Sequence, residues 1–170
     1  MSDKYPITSV NETDQNYLIG IADRLKNLGV SDEDTVSAAI LCQIINDSKA
    51  SFNEIDERFG SRIAVMVLSL SKDKKLPKAI QEEQYLKQIK EAAIEVKLIK
   101  LCEISANVKR LKNASLSHGK KVKQLKKNMH YLNIIKPDLI KSKKDYPMLE
   151  ILISGINDVL IQFKQNPVLL

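Results

Sequence analysis

The chain is 170 residues long, and 44% of its residues are hydrophobic, whereas glycine and proline each occur only five times. This composition excludes a disordered chain and an all-β chain, and it favours an all-α fold. The length predicts one domain with a single core. The net charge of +6 indicates a moderately basic surface but does not identify a partner.

The two cysteines, Cys42 and Cys102, both lie within apolar helical runs. We expect them to be buried and reduced, as in a cytosolic protein, so no disulfide is predicted. No apolar run reaches the roughly 18 residues needed to cross a bilayer, and the first residues lack the pattern of a signal peptide. We therefore expect a cytoplasmic protein with no membrane partner.

Residues 1–13 are polar and aperiodic, which predicts a flexible lead-in before a helical domain over residues 14–170. A first helix is predicted over residues 14–27, with Gly29 as its C-cap. Ser31 and Asp34 resemble a capping box that opens a second helix, which extends to about Asp47. Within it the stretch AAILCQIINDS, residues 38–48, is apolar almost all round, so we expect it at the centre of the core.

A clearer capping box, Ser51 with Glu54, predicts a short third helix that ends at Gly60 and turns Ile55 and Phe59 inward. The apolar residues 62–70 predict a further core helix, and residues 71–79 are a lysine-rich loop. One long helix is then expected over residues 80–111. A basic helix over residues 120–135 should end at Pro137, and Pro147 should open a final apolar helix over residues 148–163. The pattern predicts six to eight helices in one domain.

Known catalytic signatures are absent from the sequence. No glycine-rich phosphate loop, CxxC pair, HExxH or GxSxG motif occurs. His118 and His130 have no carboxylate near them in sequence, so we interpret both as surface residues. Cys42 has no histidine in its own helix, and an apolar setting raises the pKa of a thiol, so we interpret it as an unreactive core residue.

The charge is distributed unevenly along the chain. Residues 1–60 carry 5 basic and 11 acidic side chains, whereas residues 97–144 carry 14 basic and 2 acidic side chains. A lysine-rich face in contact with solvent explains this pattern, and so does a surface that binds polyanions such as nucleic acid.

Three segments, taken in order, resemble the hydrolase domain of the RelA/SpoT homologues. They are AAILCQIINDS, ERFGSRIAVMVLSLSKDKKLP and IKLCEISANVKRL, within residues 17–111. The residues that fit the family pattern are Asp47, Phe59, Gly60, Lys72, Lys100, Leu101 and Asn107. The resemblance implies an all-helical HD-type fold. It also implies the family's activity, which removes the 3′-pyrophosphate from the alarmone (p)ppGpp with a bound Mn²⁺.

The departures from the family pattern fall on the residues that carry its chemistry. The metal-binding His-Asp pair corresponds to Cys42 and Gln43, and the Glu-Asp pair that serves the attacking water corresponds to Asn46 and Asp47. The first metal histidine falls on or beside Tyr17, and the last metal aspartate falls on Glu103. Mn²⁺ prefers imidazole and carboxylate ligands, so the resemblance implies that the metal site is degenerate and that no metal cofactor is held.

These observations predict a non-catalytic HD-like domain that binds a guanine nucleotide or a protein partner. Lys72 and Lys100 are the candidate phosphate ligands, with Asp47 and Asn107 beside them. An active Mn²⁺-dependent (p)ppGpp-type phosphohydrolase with altered ligands stays open as an alternative, as does nucleic-acid binding through residues 97–144. Because the resemblance maps Cys42 and Glu103 onto one centre, we also expect these two residues to lie close together.

Overall fold

The computed structural model describes residues 12–45 and 51–170, and for Glu12, Thr13, Ile44 and Ile45 it describes the backbone alone. Within these ranges the chain forms eight helices and no strand, which confirms the all-α prediction. The helices are α1 (Glu12–Asn27), α2 (Glu33–Ile45), α3 (Phe52–Phe59), α4 (Ser61–Ser69), α5 (Lys78–Glu91), α6 (Ile94–Leu111), α7 (His118–Lys141) and α8 (Leu149–Gln162). Most of the predicted lead-in lies outside the described residues.

Helix α6 is the centre of the core. Every residue from Val96 to Ala106 is buried, on all faces of the helix, because α1, α2, α7 and α8 pack around it. The sequence predicted this central place for α2 instead. In α2, Ala38, Ala39 and Cys42 are buried, but Ile40 and Leu41 are only partly covered. The prediction missed α6 because its sequence contains Lys97, Lys100 and Glu103, and charged residues of this kind usually indicate a solvent-exposed face. In the structure all three are buried.

Of the four caps predicted for α1 to α3, three are present and one differs. Gly29 and Gly60 adopt φ angles of 87° and 88°, which favour glycine, at the ends of α1 and α3. The capping box of Ser51 and Glu54 is present at the start of α3. At the start of α2, however, Asp32 rather than Ser31 is the cap: its carboxylate accepts hydrogen bonds from the backbone N–H of Thr35 at 3.0 Å and from the Thr35 hydroxyl at 2.5 Å.

The second half of the chain departs from its prediction at two helix ends. The expected helix over residues 80–111 is two helices, because Ala92 and Ala93 adopt extended backbone with ψ angles of 158° and 160°. Pro137 does not end α7, which continues to Lys141. The last turn of α7 is held by the ion pair between Lys97 and Asp138 and by the complete burial of Leu139.

Some side chains and boundaries also differ from the prediction. Phe59 and Val65, both expected to face inward, are 44% and 54% exposed, because the short helices α3 and α4 lie at the edge of the bundle. Pro147 precedes the cap of α8, Met148, by one residue instead of occupying the first helical position.

None of the helices in the described residues is long and apolar enough to cross a membrane.

Candidate functional site

A cavity of about 750 Å³ lies between the loop that joins α4 to α5 and the helices α5, α6 and α7. Five cationic side chains line it, whereas Glu103 is the one carboxylate among the described residues that do so. The cations are Lys72, Lys74, Lys100, Arg110 and Lys127. This imbalance gives the cavity a positive potential, and Asn107, Gln124 and Asn128 add neutral hydrogen-bonding groups.

Glu103 lies at the inner end of this cavity and is held by two neighbours. The ammonium group of Lys100 lies 2.8 Å from its Oε2, and the side-chain amide of Gln43 donates to its Oε1 at 2.5 Å. The side chains of Lys100 and Glu103 are only 8% and 11% exposed. Burial alone would lower the pKa of Lys100, but the charge of Glu103 and the hydrogen bonds raise it overall, so the lysine stays protonated.

Cys42 adjoins this pair through Gln43. The Gln43 amide nitrogen lies 3.3 Å from the Cys42 sulfur as well as within hydrogen-bond distance of Glu103. This bridge confirms the prediction that Cys42 and Glu103 come close together. The thiol donates to the backbone carbonyl of Ala39 at 3.2 Å. Burial, together with the nearby charge of Glu103, raises the pKa of the Cys42 thiol far above its usual value, so the sulfur is protonated.

Tyr17 is tied to the same helix one turn further along. Its hydroxyl donates to Oδ1 of Asn107 at 2.8 Å, and the Arg110 guanidinium lies 4.6 Å from the centre of its ring. Burial and the charge of Glu103 raise the pKa of the Tyr17 hydroxyl, so it is a neutral donor. Asn107 therefore uses one side-chain oxygen to position Tyr17, while its side chain also faces the cavity.

Lys72 belongs to a second cluster at the α5 and α7 side of the cavity. It forms an ion pair with Glu82 and donates to the Tyr131 hydroxyl at 3.1 Å. The Tyr131 hydroxyl in turn donates to Oε1 of Glu82 at 2.7 Å. The rings of Tyr85 and Tyr131 meet edge to face with their centres 5.7 Å apart.

Tyr85 joins this cluster to the pair of Lys100 and Glu103. The ammonium groups of Lys72 and Lys100 lie 4.9 Å and 5.3 Å from the centre of its ring, and its hydroxyl accepts from Lys100 at 3.0 Å. Burial raises the pKa of Tyr85 to about 12. The two lysines that the sequence singled out are therefore placed on one aromatic wall of one cavity.

As they are arranged, the side chains that the resemblance aligns with metal ligands do not fit a divalent cation. Of Tyr17, Cys42, Gln43 and Glu103, Glu103 alone is an anion, and Lys100 already compensates its charge. The other three are neutral groups that hydrogen-bond within the protein. Across residues 12–45 and 51–170, no three His, Cys, Asp or Glu side chains are close enough together to hold a metal ion. Asn46 and Asp47 lie outside the described residues.

Sequence reasoning missed part of the site. It did not assign Tyr131, Arg110 and Lys127 to the cavity, nor Glu82 as the partner of Lys72. It did identify Lys72, Lys100, Glu103 and Asn107 through the resemblance. The residues of α7 carry no motif, and a row of lysines on a helix looks the same whether it faces solvent or a cavity. The one available signal was Tyr131, an aromatic residue in an otherwise lysine-rich helix.

Comparison with known proteins matches residues 9–131 to the HD domain family. Among curated proteins, the guanosine-3′,5′-bis(diphosphate) 3′-pyrophosphohydrolase MESH1 of Danio rerio is 32% identical over 97 residues, which cover 56% of this chain and 54% of the relative. The guanosine-3′,5′-bis(diphosphate) 3′-pyrophosphohydrolase of Aquifex aeolicus is 37% identical over 106 residues, 59% of this chain and 15% of that enzyme. The chain thus spans about half the length of the first of these relatives and less of the second.

Two solved structures share the fold. A metazoan ortholog of SpoT, described as hydrolysing ppGpp, superposes with a TM-score of 0.69 at 18% identity and covers 86% of this chain and 79% of that chain. The protein lmo0812 of Listeria monocytogenes superposes with a TM-score of 0.61 at 20% identity, over 87% of this chain and 93% of that chain. At these identities the superpositions establish the helical architecture.

Proposed function

Because this chain belongs to the HD domain family, and its curated relatives are named as ppGpp pyrophosphohydrolases, we propose that it binds a ppGpp-type guanine nucleotide without hydrolysing it. The cationic cavity between α5, α6 and α7 is the proposed binding site. The protein would then act through the bound state of the nucleotide and not through turnover.

The observation that carries the proposal is the charge of the cavity. Five cations face about 750 Å³ of space with one carboxylate. Lys100 pairs with that carboxylate and Lys72 pairs with Glu82, so within the described residues the excess rests on Arg110 and Lys127. A ligand with several phosphates offsets such an excess, since charged hydrogen bonds to phosphate oxygens are stronger than neutral ones. The volume falls within the range of about 300–1,000 Å³ that is typical of small-molecule sites.

The absence of hydrolysis is supported by the contacts of Glu103. An activated hydroxide at neutral pH requires a metal ion that lowers the pKa of its bound water. In this chain Lys100 and Gln43 occupy both carboxylate oxygens of Glu103, and Cys42 is a protonated thiol. A divalent cation at this position would have to break the buried ion pair and deprotonate the thiol.

The alternative is an active hydrolase, and the names of the relatives favour it. In that case the anionic ligands must come from residues other than those aligned with the family's metal ligands, and Asp47, which is aligned with the pair that serves the attacking water, is one candidate. Both functions predict that the protein binds the nucleotide. Only the active hydrolase predicts turnover of the nucleotide that a chelator abolishes.

Calorimetric titration of ppGpp into the purified protein tests binding at the cavity. We expect Lys127→Ala, which removes a cavity cation, to weaken binding about five- to tenfold, equivalent to about 1–1.4 kcal/mol. Lys126→Ala is the matched control, because it removes the same charge from the next residue of α7 without lining the cavity. Equal losses in the two variants, or no binding by the unmodified protein, would contradict the proposed site.

A further inference from the structure

The corner between α6 and α7 carries a second concentration of charge, most of it outside the cavity. Residues 109–127, here called the basic hairpin, comprise the end of α6, the connecting turn and the first turns of α7. They contain eight Lys or Arg residues and no Asp or Glu. The eight are Lys109, Arg110, Lys112, Lys120, Lys121, Lys123, Lys126 and Lys127. Two of them, Arg110 and Lys127, also line the cavity.

The cations of the basic hairpin are accessible, and they have no carboxylate partner among the residues that the structure describes. Seven of the eight are exposed, and Lys121 is half-buried. Within the described part of the chain none of them forms an ion pair, whereas Lys72, Lys97, Lys100, Lys141 and Lys143 all do. Lys121 donates instead to the backbone carbonyl of Lys112 at 3.2 Å, which fixes the end of α6 against the start of α7. The hairpin therefore presents its charge uncompensated to the solvent.

The neutral side chains between these cations indicate the kind of partner. Asn113, Ser115, Ser117 and Gln124 are interleaved with the lysines, and such amides and hydroxyls, together with Lys and Arg, make most contacts to phosphate and sugar groups in nucleic acids. On the face of α7, Lys120, Lys123 and Lys127 follow the i, i+3, i+7 spacing. They form a row about 10 Å long, given a rise of 1.5 Å per residue.

The surface lacks the features that other anionic partners require. Single-stranded nucleic acid is bound through aromatic side chains on which bases stack. The one ring in the hairpin, His118, already stacks on Phe163 with centres 5.8 Å apart, and Tyr131 beyond it is buried. A helix that lies in a membrane surface inserts its apolar side chains, and Leu116, 37% exposed, is the one large apolar residue that the hairpin exposes.

We infer that the basic hairpin binds the phosphate backbone of duplex nucleic acid without reading its sequence. This function is separate from nucleotide binding in the cavity. Six of the eight cations, Lys120, Lys123 and Lys126 among them, do not line the cavity, so variants of these three lysines test the two functions independently.

Fluorescence anisotropy with a labelled duplex of about 20 base pairs tests the inference, in one arm with DNA and in the other with RNA. We expect the logarithm of the association constant to fall linearly with the logarithm of the salt concentration. A slope of roughly −4 to −5 corresponds to about five phosphate contacts. The arm that binds more tightly identifies the source of the duplex.

Charge-reversal variants of equal net charge locate the binding surface. Lys120→Glu, Lys123→Glu and Lys126→Glu combined should weaken duplex binding more than tenfold. The control combines Lys78→Glu, Lys87→Glu and Lys90→Glu, which are exposed residues of α5, and should retain most of the affinity. Equal losses in the two triple variants would overturn the inference, as would tighter binding to single strands or to vesicles of anionic lipid, or the absence of salt-dependent binding. Unchanged ppGpp binding by the first variant would show that the cavity is intact.

Discussion

Glu103 is a buried carboxylate whose two oxygens both have partners within the protein. The resemblance predicts a metal ligand at this position, whereas in the structure Lys100 contacts one oxygen at 2.8 Å and Gln43 donates to the other at 2.5 Å. A buried carboxylate needs compensation, and a lysine three residues away on the same helix supplies it. This ion pair accounts for the charge of Glu103 without any cation from solution.

Breaking this ion pair from one side should destabilise the protein strongly. We expect Lys100→Met to lower the free energy of unfolding by about 3–5 kcal/mol, because it leaves an unpaired carboxylate in the core. The double variant Lys100→Met with Glu103→Met should lose less than the single variant, since it removes the buried charge as well.

Urea unfolding of both variants and of Glu103→Met measures this coupling. Independent, additive losses in the double variant would show that Lys100 and Glu103 do not compensate each other in the folded protein.

At the residue scale, the sequence indicated which residues come together but not which hydrogen bonds they form. The resemblance brought Tyr17, Cys42, Gln43 and Glu103 to one region, and the structure joins Cys42, Gln43 and Glu103 through direct contacts. Tyr17 contacts Asn107 instead. Hydrogen-bond partners depend on side chains that lie 60 to 90 positions apart, as in the pairs of Gln43 with Glu103 and Tyr17 with Asn107, so local patterns did not contain them.

At the scale of helices, most ends followed local chemistry, and the exceptions have tertiary causes. Asp32 replaced the predicted cap Ser31, and its carboxylate also accepts from Arg62 of α4 at 2.8 Å. That contact spans 30 positions and has no signature in the sequence near α2. The extended residues Ala92 and Ala93 likewise lack the proline or glycine that usually marks a break between helices.

The cap at the start of α2 can be tested by substitution. Asp32→Ala should lower the free energy of unfolding at pH 7 by about 1 kcal/mol, as is typical for the loss of a cap. Ser31→Ala, at the predicted cap, should change it by less than about 0.5 kcal/mol. If urea unfolding showed a larger loss of stability for Ser31→Ala than for Asp32→Ala, Ser31 would be the cap, as the sequence predicted.

The contribution of the Asp32 cap to the free energy of unfolding should also depend on pH. Hydrogen bonds from Arg62 and Thr35 lower the pKa of Asp32 from its usual 3.8 to about 2 in the folded protein. A lowered folded-state pKa stabilises the protein above the unfolded pKa, and this contribution is lost as the pH falls through the folded pKa. The difference between the unmodified protein and Asp32→Ala should therefore be full above about pH 4 and should shrink towards pH 2.

The break between α5 and α6 predicts an unusual tolerance of proline. Ala93 has a φ angle of −60°, which matches the fixed φ of proline, and Ala92 before it is extended. Ala93→Pro should leave the stability unchanged or raise it by about 0.4–1 kcal/mol. In the middle of α5, Lys87→Pro should cost about 3 kcal/mol or more. Similar losses in the two variants, by thermal unfolding, would indicate one continuous helix.

At the scale of the whole molecule, the two proposed binding sites lie next to each other in the described part of the fold. The core of α6 carries the pair of Lys100 and Glu103 at the inner end of the cavity, and the end of α6 with α7 forms the basic hairpin. The fold class followed from apolar periodicity, which reports burial, and the helices in the described residues number eight, within the predicted six to eight, with two helices in place of the one expected over residues 80–111. The cavity did not follow from periodicity, because it forms where a loop and three helices meet.

Four combined substitutions that introduce the family's residues test whether a metal site can be restored. Tyr17→His, Cys42→His, Gln43→Asp and Asn46→Glu together should allow Mn²⁺ to raise the melting temperature, whereas Mn²⁺ should not affect the unmodified protein. Restoring positions 42 and 43 alone should not suffice, because the set would still lack a ligand and a base for the water. Thermal unfolding with and without Mn²⁺ distinguishes these outcomes.

The central claim is that the protein binds a ppGpp-type nucleotide and leaves it intact. The most direct measurement is incubation of the purified protein with ppGpp and added Mn²⁺, followed by anion-exchange chromatography of the nucleotides. We expect ppGpp to be recovered unchanged, with no formation of GDP and pyrophosphate. Release of GDP and pyrophosphate that stops when a chelator is added would contradict it, and would show that this chain builds a metal site from ligands other than those at positions 17, 42, 43 and 103.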